Sequence, residues 1–177
     1  MNMALHDRGV VYTGSLPLSI ELLTEAPREQ DLLNANDGNE LLLRSVTALE
    51  EKMDHDEDDE LAQELKRQDM KLNLILDLIG TLLQQYQVIP QARDIQLTAA
   101  SVRLNLSLNA QTQYCRVQLY IEPSIPKPLT LFGRCHPSTQ AGMSDVVFEG
   151  LSQSVTDNLD KFIFRHHRRR IAQARKA

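Results

Sequence analysis

Apolar residues recur along one segment at Leu61, Leu65, Leu72, Ile75, Ile79, Leu82, Tyr86 and Ile89. With Gln68 included, the spacing alternates 4 and 3 without a slip. A period of 3.5 keeps one stripe of a helix facing a partner, so the pattern predicts a coiled-coil seam on a helix from about residue 58 to 89. Pro90 stops it. The flanking positions change along the seam, from Ala62, Glu64, Asp69 and Lys71 to Leu76, Leu78 and Leu83. Apolar flanks widen the buried face beyond what two strands cover, and Leu72 followed by Ile75 suits a four-stranded coil. The expected state is a homo-oligomer, a parallel tetramer first, with Gln68 as a buried polar layer that fixes register. The alternative is a hairpin within the chain, with a preceding helix folded back on the long one.

That preceding helix is predicted from about Asn39 to Met53, with Leu42, Val46, Leu49 and Met53 spaced 4, 3, 4. Residues 24–38 read as polar connection, with a turn signal at Asn36, Asp37 and Gly38. Residues 54–60 read as an acidic link. After Pro90 the period becomes 2. Strands are expected over Ile95–Ala99, Val102–Leu106, Tyr114–Ile121, Leu129–Cys135 and Ser144–Glu149, with an earlier one over Leu16–Leu23 and a loose terminus before about residue 13. Short antiparallel strands at this spacing suggest a small barrel or sandwich. Ser154–Ala174 reads as an amphipathic helix that buries Val155, Leu159, Phe162 and Ile163.

The net charge of −5 argues against nonspecific nucleic-acid binding by the whole molecule. Charge is uneven: Glu50 to Glu60 holds eight acids, and Lys161 to Lys176 holds seven basic residues and no acid. Arg165, Arg168, Arg169 and Arg170 are a candidate contact for an acidic partner or another anion. The plain alternative is a solvated helix end with cations at the negative end of the dipole. Without interleaved aromatics, nucleic acid is disfavoured.

Chemistry-bearing motifs are sparse. Asp54, Asp56 and Asp58 lack the glycine and the final glutamate of a calcium loop. The histidines show no zinc spacing with Cys115 or Cys135. The spacing Pro123–Pro126 is better explained by a hairpin loop than by a peptide ligand. There is no phosphate-cradling glycine loop, so the expectation is a protein that is not an enzyme and holds no metal. The two cysteines read as reduced core residues, with a disulfide as the alternative. No run of about 18 apolar residues predicts a membrane span, and no secretory leader is visible, so the chain reads as cytoplasmic.

Four segments carry a family resemblance. Gly14–Ile20 looks like a first barrel strand, Gln96–Leu104 like the strand that opens with an (Asp/Asn)-x-Ser-x-x-Gly motif, and Leu129–Cys135 like a later strand with its glycine. Val146–Ser152, leading to Leu159–Arg165, looks like the last strand and the closing helix. In order and spacing they resemble a PilZ domain, the bacterial receptor module for cyclic di-GMP. The resemblance implies an α+β fold: a six-stranded antiparallel barrel with a C-terminal helix, spanning residues 12–24 and 91–177. Residues 25–90 would then be an inserted helical segment carrying the coiled coil. This arrangement resembles the atypical tetrameric PilZ proteins of xanthomonads.

Departures from the family pattern shape the functional expectation. Receptors of this family grip the ligand with Arg-x-x-x-Arg before the first strand, where guanidiniums can pair with phosphates and stack on guanines. Here Arg8 has no second arginine four residues away. The strand motif reads Gln96, Thr98 and Ser101 in place of the acid or Asn, the Ser and the Gly. The resemblance with these losses implies a noncatalytic adaptor that binds a protein partner in a signalling pathway and needs no cofactor. A receptor with a degenerate site, borrowing Arg103 or a cation from another subunit, is the alternative.

Overall fold

The computed structural model describes residues 10–50, 60–86, 89–106, 108, 113–125, 127–138 and 142–174, without the side chains at 50, 60–62, 77, 80, 83–86 and 137. Arg8, Met53, most of the acidic link and Pro126 lie outside the described residues.

Six strands form one closed antiparallel barrel: β1 (Tyr12–Leu23), β2 (Ala92–Leu97), β3 (Ser101–Leu104), β4 (Gln113–Leu119), β5 (Leu129–Pro137) and β6 (Ser144–Phe148). Their order around the barrel is β1-β2-β3-β6-β5-β4. Closure depends on β1. Its first half, Tyr12–Pro17, pairs with β2, and its second half, Leu18–Leu23, pairs with β4. Pro17 falls where the partner changes, and its carbonyl still accepts from the Tyr120 amide at 3.0 Å. A proline is tolerated where no ladder donor is required of it. The strand therefore begins at Tyr12, four residues before the apolar alternation from Leu16 suggests. The other strand ends differ from the sequence expectation by a few residues.

Alternate positions fill the barrel: Val102 and Leu104, Val117 and Leu119, Leu129 and Leu131 are all fully buried. At Gly133 the neighbouring strand comes so close that a Cβ would lie 2.1 Å from the Val147 carbonyl oxygen. Helix α3 (Gln153–Ala174) packs Val155, Leu159, Phe162 and Ile163 into this core, the four residues that its periodicity marks. It starts after Gly150, whose φ of 72° is left-handed, and Ser152 caps it through the Val155 amide at 3.2 Å.

Helix α1 (Glu29–Glu50) begins ten residues before the expected start, and Asn36, Asp37 and Gly38 are helical rather than a turn. The reason lies in the inward face, which carries amides as well as leucines. Asn36 donates to the Gly150 carbonyl at 2.8 Å and accepts from the Ser152 amide at 2.9 Å. Asn39, 2% exposed, donates to the Thr130 carbonyl at 2.6 Å and accepts from the Thr130 amide at 2.8 Å. Leu42, Leu43 and Val46 follow on the same face. Asn residues read as turn formers when their side chains compete for local backbone; here they satisfy distant backbone instead. Among the described residues, helix α1 packs on β5 and α3 and forms no comparable packing with the long helix, which disfavours the hairpin alternative.

That long helix, α2 (Glu60–Tyr86), forms no comparable packing with any other element among the described residues. At 27 residues it is about 40 Å long.

Candidate nucleotide motif and assembly helix

The degenerate motif is held together by the β2–β3 hairpin. Gln96 lies opposite Thr13 on one side and Arg103 on the other. Thr98 and Ser101 close the turn: the Thr98 amide donates to the Ser101 carbonyl at 2.9 Å, and the Thr98 hydroxyl oxygen accepts from the Ser101 amide at 3.0 Å. The two hydroxyl oxygens are also 3.0 Å apart. Both side chains are thus engaged in building their own turn.

Arg103 is engaged as well. Its Nε donates to Asp145 Oδ1 at 2.7 Å and its Nη2 to Oδ2 at 3.0 Å, with the side chains 16% and 8% exposed. The residues are register partners on β3 and β6. Two parallel bonds between planar groups, largely out of water, form a strong and specific pair. The hydrogen bond to Asp145 raises the pKa of the guanidinium further. The topology therefore brings Gln96, Thr98, Ser101 and Arg103 together and gives three of them internal partners.

The basic run on α3 divides: at 100° per residue Arg165, Arg168 and Arg169 share one side of the helix, and Arg170 lies apart from them. Arg170 Nη1 reaches back to β1 and donates to the Thr13 carbonyl at 3.5 Å, at the exposed surface. The Arg168 guanidinium lies 5.9 Å from the centroid of the exposed Phe164 ring. Residues two apart on a helix point about 200° apart, which separates these two. Arg165 and Arg169 have partners of their own. Near the same end, Phe162, His166 and Tyr12 form a ring cluster, with Phe162 and His166 centroids 4.4 Å apart. Burial raises the Tyr12 pKa.

Cys115 and Cys135 are free and buried, on adjacent strands at diagonal positions. The Cys115 thiol lies 3.6 Å from the Gly133 carbonyl oxygen. Its hydrogen bond with Cys135, together with burial, pushes its pKa well up. Among the described residues no group of three His, Cys, Asp or Glu side chains is placed to hold a metal, and no helix is long and apolar enough to cross a membrane.

The seam of α2 is open in the single chain. Leu65, Leu72, Ile75, Ile79 and Leu82 are between 45% and 58% exposed, and Gln68 is exposed beside them. Ile89, just past the helix, is 37% exposed. Leu61 and Tyr86 lie on the helix, but their side chains are outside the described set. Leu76 and Leu78 extend the apolar face. Met70 and Leu74, also exposed, lie on the side away from Leu72, and the seam reading does not include them. Their signal is an apolar pair four residues apart outside the heptad core.

A comparison with curated proteins finds no match. Among solved structures, the chain is similar to a pathogenic protein from Xanthomonas campestris, described as a tetrameric PilZ domain self-assembled via an unusual helical bundle. The sequences are 26% identical, the TM-score is 0.73, and the match covers 93% of this chain and 91% of that one. Residues 41–176 match the family model described as atypical PilZ domain, cyclic di-GMP receptor. With a closed six-stranded barrel, a closing helix and that match over most of its length, the chain belongs to the atypical PilZ domain family.

Proposed function

We propose that this protein is a noncatalytic oligomeric adaptor in cyclic di-GMP-related regulation, and that it does not bind cyclic di-GMP through the usual motif. The observation that carries the reading is the state of that motif. Thr98 and Ser101 bond each other, and Arg103 is paired with Asp145. A dianionic ligand would have to break a bidentate ion pair to recruit Arg103, and removing the partner of such a partly buried pair costs about 1–3 kcal/mol.

Assembly is the second part of the proposal. Four copies of α2 pack through Leu61, Leu65, Leu72, Ile75, Ile79, Leu82, Tyr86 and Ile89, with Gln68 setting register. The exposed seam and the tetrameric relative support this. Burying the exposed half of each leucine or isoleucine contributes on the order of 1 kcal/mol. Residues 12–24 and 91–177 form the displayed barrel unit, and the barrel surface with the basic end of α3 faces the partner.

A receptor function is the second reading, favoured by the description of the family itself. It needs Arg103 to leave Asp145 for the ligand, or a cation from another subunit. Isothermal titration calorimetry with cyclic di-GMP on the purified oligomer separates the two. The adaptor reading expects no heat of binding. Binding at micromolar or tighter affinity establishes a receptor.

A further inference from the structure

Helix α3 carries a second regular stripe, opposite the one that packs on the barrel. At 100° per residue, Lys161, Phe164, Arg168 and Ile171 fall within about 80° of one another and about 180° from Val155, Leu159, Phe162 and Ile163. Phe164 and Ile171 are 48% and 40% exposed, and Lys161 and Arg168 are exposed beside them. Neither apolar residue belongs to the core cluster. Cation and apolar side chain alternate along about 15 Å of helix, at spacings of 3, 4 and 3.

The charge along this stripe has one sign. From Lys161 to Ala174 the helix carries no acid. Its two acids precede the stripe: Asp157 accepts from Gln153 Nε2 at 2.7 Å, and Asp160 borders only the first turn. Lys161 and Arg168 make no ion pair among the described residues, and the Arg168 guanidinium lies instead near the Phe164 ring. Arg165 and Arg169, on the flank, have partners of their own and add to the positive field. A convex ridge gives a small ligand nothing to enter. A phosphate backbone would leave Phe164 and Ile171 without apolar partners. A straight stripe with a mean spacing of 3.5 is what a second helix crossing at about 20° meets. Covering both the apolar and the cationic positions calls for a helix whose own stripe alternates acid and apolar side chain.

We infer that the outward stripe of α3 docks an amphipathic helix of a partner protein on which acids alternate with apolar residues. The acids meet Lys161 and Arg168, and the apolar side chains cover Phe164 and Ile171. The inference rests on the adaptor reading and adds the partner's form and chemistry.

The test is fluorescence anisotropy on the full chain with two labelled three-heptad peptides built of Ala and Gln. One carries Glu at each a position and Leu at each d; the other has Gln in place of Glu. The acidic peptide is expected to bind about tenfold tighter than the neutral one. The double variant Lys161→Gln with Arg168→Gln is expected to lose that preference, and Phe164→Ala to weaken both peptides several-fold. Arg44→Gln, at an exposed cation on α1, is expected to leave binding unchanged. Equal binding of the two peptides, or an equal loss in Arg44→Gln, overturns the inference. So does the absence of binding at millimolar peptide. Sedimentation with phosphatidylglycerol vesicles without binding of the acidic peptide assigns the stripe to a membrane surface and overturns it as well. The peptide comparison needs no variant, so a misfolded variant does not decide the result. Failure here removes the stripe as a docking face, whereas heat with cyclic di-GMP removes the adaptor reading, so the two outcomes are distinct.

Discussion

Arg103 and Asp145 face each other across β3 and β6 with bonds of 2.7 and 3.0 Å, and this pair ties the motif strand to the closing strand of the barrel. A cation that could have served a ligand instead serves the fold. Asp145→Ala leaves a partly buried guanidinium without its partner and should lower unfolding stability by about 1–3 kcal/mol. The double variant Asp145→Ala with Arg103→Met should recover much of that loss, because no charge is then stranded. Urea denaturation of the three proteins checks it, and equal stability of the single and double variants would sink the explanation.

The β2–β3 turn is a second local lock. Thr98→Ala removes the acceptor for the Ser101 amide and the contact with the Ser101 hydroxyl. The expected cost is about 1–2 kcal/mol, with Thr98→Ser close to neutral. Thermal denaturation measures both. A Thr98→Ser variant as unstable as Thr98→Ala would show that the methyl group, not the hydroxyl, matters here.

Asn39 holds α1 to the barrel through the amide and carbonyl of Thr130. Asn39→Leu should leave both backbone groups without a partner and destabilise the protein by about 2–4 kcal/mol, despite the gain in apolar surface. The Thr130 amide should lose hydrogen-exchange protection more than the amides of β3. Retained protection at Thr130 would mean that α1 is anchored by its leucines alone.

Cys115 is buried and its thiol is held protonated by its hydrogen bond to Cys135 and by desolvation. Thiolate is the reactive form, so Cys115 should resist a thiol reagent in the native protein even at pH 8 and react on unfolding. Mass spectrometry after labelling with and without urea reads this directly. Rapid native labelling of Cys115 would contradict the packing described here.

Much of the fold was legible because its signals are local. The inward face of α3 follows from Val155, Leu159, Phe162 and Ile163 at helical spacing, and the strand faces follow from alternation at Val102, Leu104, Val117 and Leu119. The early turns of α1 were hidden because Asn36 and Asn39 look polar and turn-forming. Their partners, Gly150, Ser152 and Thr130, lie about a hundred residues away and become visible only in three dimensions. The same holds for the motif. The loss of the family's residue types at Gln96, Thr98 and Ser101 could be read directly, but the pairing of Arg103 with Asp145 depends on the β3–β6 register. The apolar stripe of α2 could be read because it is a repeat, and it stays exposed in the single chain because no barrel element packs closely on it among the described residues.

The measurement that tests this account most directly is the mass of the intact protein by light scattering, beside a variant carrying Ile75→Asp and Ile79→Asp. The 20.1 kDa chain is expected at about four times that mass, and the variant at the monomer mass, because charge cannot be buried in the helical core. A wild-type particle at the monomer mass, or a variant that keeps the wild-type mass, would contradict the assembly of this protein through α2.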